Sequence, residues 1–217
     1  MSGQNLMRWT GAALIAWALH LLVKDYTFAF THGTMEEDMS GVLVGISARQ
    51  FALIWTVFGL LGTIGVSGVY VQVRDRLSWF GRIGFLIAIV GLAMLFLSWV
   101  MQYWILNPDA YFHSPVVYGG WLLSIAAVLV VTPGLIMAGL DVARANALPG
   151  ERFLILIIGV LWLPSAILHP LLVGQSDGSL ASKLLYGSLS VPLSLCWLRL
   201  GFVQHVVVAR APTTVVE

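Results

Sequence analysis

Charge is what this chain has least of. Lys and Arg number 11 and Asp and Glu 10, together 10% of 217 residues, and the formal net charge is +1. Soluble domains carry roughly 25% charged residues. So thin a supply of cations forms no basic patch to neutralise phosphates, which excludes nucleic acid as a partner. Cysteine is almost as scarce. Cys196 stands alone inside an apolar stretch, so an intrachain disulfide, a CxxC redox pair and a cysteine metal site are all excluded. It reads as a buried structural thiol. No G-x-S-x-G elbow, HExxH pair or glycine-rich phosphate loop occurs, and each is the usual carrier of its chemistry. Linkers and low-complexity tracts are missing too, so residues 1–217 read as one domain.

What the chain has instead is apolar residues, 59% of the total, with a mean hydropathy of +0.91. A water-soluble domain of this size still exposes roughly a quarter to a third of its unfolded-chain area. Too little polar surface exists here to cover that area, so lipid must cover it. The segment Phe51–Val73 shows this best: it holds no charge and ends at Arg74, Asp75 and Arg76. At ~1.5 Å per helical residue it spans the ~30 Å hydrocarbon core. Six such segments can be drawn, Trp9–Phe30, Phe51–Val73, Ile83–Ile105, Val116–Leu140, Phe153–Val173 and Leu184–Ala209. The connections are short, so sequence neighbours should be antiparallel neighbours in space. The first segment follows Arg8 as a signal peptide would. Lys24 and Asp25 stand where a cleavage site belongs, so it is read as a retained span.

The expected fold is therefore an all-α integral membrane bundle of six spans. Arg8, Arg74, Arg76, Arg82, Arg144, Arg152 and Arg210 fall on one side; Lys24, Arg49 and Lys183 fall on the other. Basic loop residues stay inside, which puts both termini in the cytoplasm and the chain, multi-pass, in the plasma or inner cell membrane. Trp9, Tyr70 and Trp79 mark the inner interface, and Trp104, Tyr118, Trp121 and Tyr186 the outer one. In the first outer loop, Thr34-Met35-Glu36-Glu37 has the pattern of a capping box. It predicts a short interfacial helix there, with a bend near Gly41 or Gly45 before the second span.

Within the second span Gly59, Thr63 and Ser67 recur every four residues, flanked by Gly62, Gly65 and Gly68. Small residues at that spacing let helix backbones approach closely in lipid, so this ridge reads as packing. Pro133, Pro164 and Pro192 sit inside the fourth, fifth and sixth segments and read as kinks.

Polar groups inside a membrane are expensive and are functional candidates by default. Here they gather toward the outer half. His20 and Lys24 share a helical face, with Asp25 turned aside; Arg49 opens the second span; Ser98 and Gln102 share a face of the third; Ser165 and His169 share one of the fifth; His113 lies in a loop. The candidate ligand pocket is His20, Lys24, Asp25, Arg49, Gln102, His113, His169 and Tyr186, rimmed by Tyr103, Trp104, Tyr118 and Trp121. The competing reading makes the same groups structural: Lys24 and Arg49 snorkel to headgroups, and the histidines bond to neighbouring helices. A haem between His20 and His169 needs both at one depth, yet they lie roughly 16 and 24 Å from the inner ends of their spans. A metal held by His32, His113 and His169 with Glu36, Glu37 or Asp38 suits imidazole and carboxylate chemistry but lacks a ligand pair on one helix. The cofactor, if any, is not specified by these residues. Arg199, deep in the sixth segment, either snorkels inward or pairs with Asp141.

The leading functional expectation is non-enzymatic. The chain would bind a small or lipid-like molecule in the outward-facing pocket or act as an accessory subunit of a membrane complex. Its partners would be the bilayer and a companion subunit or a second copy. The alternatives are an enzyme acting on a lipid or isoprenoid at the outer leaflet, through His20, Asp25, His113 and His169, and a small transporter.

Overall fold

A computed structural model describes residues 3–31, 48–103, 115–173 and 179–207. These residues form seven α-helices and no strand: α1 (Gly3–Thr31), α2 (Ala48–Val73), α3 (Trp79–Tyr103), α4 (Pro115–Ala145), α5 (Leu154–Val173), α6 (Leu180–Ser188) and α7 (Val191–Val207). Four helices are long and apolar enough to cross a membrane, over Asn5–Val23, Thr56–Arg76, Trp79–Gln102 and Pro115–Ala145; Leu154–Leu168 forms a shorter apolar helix. The capping box and the interfacial helix expected around it lie outside the described residues.

Helix contacts give an up-and-down arrangement. Thr10, Leu14 and Trp17 of α1 press on Gly68, Gly65 and Gly62 of α2, so these two helices run antiparallel. The glycine ridge read from the sequence thus receives α1 side chains, while Gly59 receives the Trp99 ring of α3. Thr63 and Ser67 donate to the carbonyls of Gly59 and Thr63 in their own helix. Gly11 and Gly201 bring α1 against α7, and Gly139 and Gly159 bring α4 against α5.

The tightest pairing is α3 with α4. Across it Gly81 meets Asp141, Gly84 meets Ala138, Gly91 meets Val131, Ala88 meets Gly134 and Gln102 meets Gly120, and Ser98 bonds Ser124. In each pair the two residue numbers add to the same total. Contacts on each helix recur every seven residues, the spacing that keeps one seam of a helix facing its partner. Glycine is required along it: a Cβ on Gly134 would lie 2.5 Å from the Ala88 backbone nitrogen.

One end of the bundle gathers the arginines. There a 3-10 turn, Arg74–Arg76, joins α2 to α3, and Asp141 of α4 accepts from the Ser78 backbone N–H at 2.8 Å and from its hydroxyl at 2.9 Å. Arg76 donates to the Ala147 carbonyl. Helix α4 ends with Asn146 in the left-handed region at φ 46°, and the Ala147 N–H reaches back to Val142 at 3.1 Å, a Schellman closure. Gly150, at φ 81°, turns the chain into α5.

The sixth apolar segment departs from expectation. It is two helices, α6 and α7, separated at Leu189 and Ser190. Pro192 is therefore in the first turn of α7, where its lacking N–H leaves no intrahelical bond unmade. Pro133 does lie inside its helix, α4.

Apolar side chains occur both inside and outside. Leu14, Trp17, Phe85, Leu92, Ile158 and Trp197 fill the interior, while Leu122, Ile125 and Leu129 line an outer face of α4. A helix apolar all round fits a lipid surround.

Candidate functional site

Of the expected pocket residues, the side chains of His20 and Gln102 are described. Lys24 and Asp25 lie on α1, Arg49 on α2, His169 on α5 and Tyr186 on α6, but their side chains, and the whole of His113, lie outside the described residues. So do the side chains of the expected rim at Tyr103, Trp104 and Tyr186; Tyr118 and Trp121 are exposed on the surface of α4.

His20 is buried among aromatic rings. It stacks on Phe58 at 4.7 Å between centroids and 2° between planes. Trp17, one turn earlier, lies 6.0 Å away, and Trp99 of α3 meets the imidazole edge-on at 6.4 Å. Gln102, one turn beyond Trp99, turns toward α4 instead. Its Nε2 donates to Ser124 at 3.1 Å, Ser124 donates to Ser98 at 2.8 Å, and Ser98 donates to the Leu95 carbonyl at 2.6 Å. This is a satisfied polar chain holding α3 to α4. Ser124 was not among the expected site residues, though its place seven residues before Val131 on the α3–α4 seam would have found it.

A second group, unforeseen in the sequence, continues from His20 into the bundle. Trp17 of α1 stacks on Trp162 of α5 at 6.5 Å, and Trp162 meets Trp197 of α7 edge-on at 6.0 Å. Ser194 stands three residues before Trp197 on α7, and Ser190 four before that, at the junction with α6. All five residues are buried. Among the described residues, the three indole nitrogens and two hydroxyls have no hydrogen-bond partner. Indole N–H is donor only, and each buried polar atom so left costs roughly 1–3 kcal/mol. Beyond Trp197 the side chains of Val66, Phe85, Leu135, Ile158 and Leu200 pack closely enough to leave no space for a water molecule.

At the arginine end, Arg199 does not reach Asp141, which serves Ser78. It pairs with Glu151, its Nε donating to Oε1 at 2.6 Å. The sequence reading of an Arg199–Asp141 pair is corrected: Glu151 stands at the start of α5, beside α7. Among the described residues no three His, Cys, Asp or Glu side chains converge as a metal site.

Among the described residues these features define a class: an all-helical bundle of the membrane-protein type, with an aromatic interior and a cationic end. No family model, curated protein or solved structure matches the chain.

Proposed function

We propose that the protein is a six-span bundle of the plasma or inner cell membrane, both termini cytoplasmic, that binds a lipid-like molecule toward its His20 end. The ligand carries carbonyl or ether oxygens and no need for donors. One observation supports this above all: five buried donors, on Trp17, Trp162, Trp197, Ser190 and Ser194 of α1, α5, α7 and the α6–α7 junction, have no acceptor among the described residues. This tryptophan seam runs along α7 toward its first residues, at the end away from the arginines. Aromatic walls around His20 favour a flat or unsaturated group. The alternative enzyme reading, through His20, Asp25, His113 and His169, needs imidazole and carboxylate to converge. His20 is enclosed by rings, which supports binding over proton transfer.

Purification of the full chain in mild detergent, with mass spectrometry of extracted lipid and copurifying protein, is the test. A single lipid class retained in stoichiometric amount is expected. Trp162→Phe keeps the ring and deletes one donor, so it should lower retention about threefold to tenfold. Lipid recovered only in bulk proportions, unchanged by Trp162→Phe, overturns the reading; a companion subunit recovered in its place would favour the accessory role.

A further inference from the structure

The arginine end carries a second, separate feature. Between the α4–α5 turn and the start of α5 lies an open groove of about 470 Å³, lined by Asn146, Gly150, Glu151, Arg152, Phe153 and Ile157 among others. That volume falls in the usual range for small-ligand sites. The groove has two unlike walls. One is polar, with Arg152 and Asn146. The other is apolar: Phe153, just before α5, and Ile157 in its first turn are four apart in sequence and both exposed.

Its charge is one-sided. Glu151, the one acid among the described residues lining the groove, is already paired with Arg199. Arg152 has no ion pair among the described residues; its guanidinium lies 4.6 Å from the centroid of the Phe153 ring. Arg76 reaches the same turn through Ala147, and Arg144 stands exposed two residues before Asn146. Of the other described acids at this end, Asp141 bonds Ser78 and Asp75 lies 3.6 Å from Arg74. The turn is held in shape by backbone bonds from Glu151 to Leu148 and from Leu154 to Glu151, each 3.0 Å.

We infer that this groove seats an anionic phospholipid of the inner leaflet, its phosphate on Arg152 and its first acyl carbons along Phe153 and Ile157. The guanidinium fork matches phosphate oxygens in geometry and charge. An apolar wall adjoining the cation distinguishes a lipid phosphate from a free one. The inference rests on the membrane topology proposed above, and not on a ligand in the tryptophan seam.

Native mass spectrometry of the full chain tests it, with phosphatidylglycerol and phosphatidylcholine supplied in equal amounts. The wild type should hold phosphatidylglycerol preferentially. Removing one interfacial arginine charge should cut that preference about fivefold, so Arg152→Gln should lose most of it. Arg152→Lys, which keeps the charge and loses the fork, should fall between. Phe153→Ala should weaken both lipids. Equal retention of the two lipids by the wild type overturns the inference, as does an unchanged preference in Arg152→Gln, or displacement of the lipid by inorganic phosphate. Thermal unfolding of each variant separates lost binding from lost folding. Should Trp162→Phe leave all retained lipid unchanged while Arg152→Gln abolishes the preference, the seam reading fails and this one stands.

Discussion

At the residue scale, two glycines of α4 make opposite predictions. Gly134 lies where a methyl group would collide with the Ala88 backbone, a part of α3 that cannot swing aside. Gly119 faces only the flexible end of Met101, at 3.4 Å. Overpacking costs typically 1–3 kcal/mol, so Gly134→Ala should lower the unfolding midpoint in detergent clearly. Gly119→Ala should leave it unchanged or raise it slightly, since alanine is the better helix former. Equal effects would mean the α3–α4 approach is looser than described. Asp141 makes a third case. It is buried and holds both the N–H and hydroxyl of Ser78. Hydrogen bonds to a charged group contribute roughly 1.5–3 kcal/mol, so Asp141→Ala should cost about that much. Ser78→Ala, which removes one of the two bonds, should cost less. Thermal unfolding of both variants checks the order.

At the element scale, the seven-residue register ties α3 to α4 along their whole length, whereas α6 is short and exposes Leu180, Leu184 and Leu185. Hydrogen exchange in detergent should therefore find α6 opening first and the α3–α4 hairpin last. Uniform exchange across the two would contradict this ranking. The same contrast explains what could be read from sequence. Long apolar runs announced α1 to α5 because lipid demands length and uniform hydrophobicity, and both are written locally. The glycine ridge of α2 was visible for the same reason, its spacing being periodic within one helix. The α3–α4 seam was equally periodic, in Gly84, Gly91 and Ser98 against Ser124, Val131 and Ala138. Its period of seven becomes legible only when the two helices are laid antiparallel, because each half of the pattern is on a different helix. Arg199 pairs with Glu151 and Asp141 bonds Ser78, both contacts between segments far apart in sequence. The break before α7 cannot be read from Pro192 alone. A proline signals a kink or a helix start with equal force, and only the position of the preceding cap decides. The tryptophan seam, joining α1, α5 and α7, depends wholly on how those helices cross.

At the scale of the whole molecule, the question is which solvent covers the outside and how many times the chain crosses it. Exposed Leu, Ile, Val and Phe side chains are spread over α1 to α7, too many for water. Arginines at one end match the cytoplasmic side of a membrane. In the six-span arrangement proposed above, α1 to α4 make four crossings, α5 a fifth, and the last passage falls to α6 and α7 together. Helix α7 alone, at about 26 Å, falls short of a ~30 Å core, while the broken pair reaches across it. Single cysteines on a Cys196→Ser background, labelled on intact cells with a membrane-impermeant maleimide, test each crossing. Arg76→Cys and Arg144→Cys should react only after permeabilisation, and Lys183→Cys, near the start of α6, should react at once. His205→Cys, near the end of α7, should again need permeabilisation. If Lys183→Cys and His205→Cys label alike, α6 and α7 do not form a sixth crossing, and the shared placement of the termini falls with it. If Arg76→Cys reacts on intact cells, the whole bundle is inverted, and the groove beside Arg152 faces the outer leaflet.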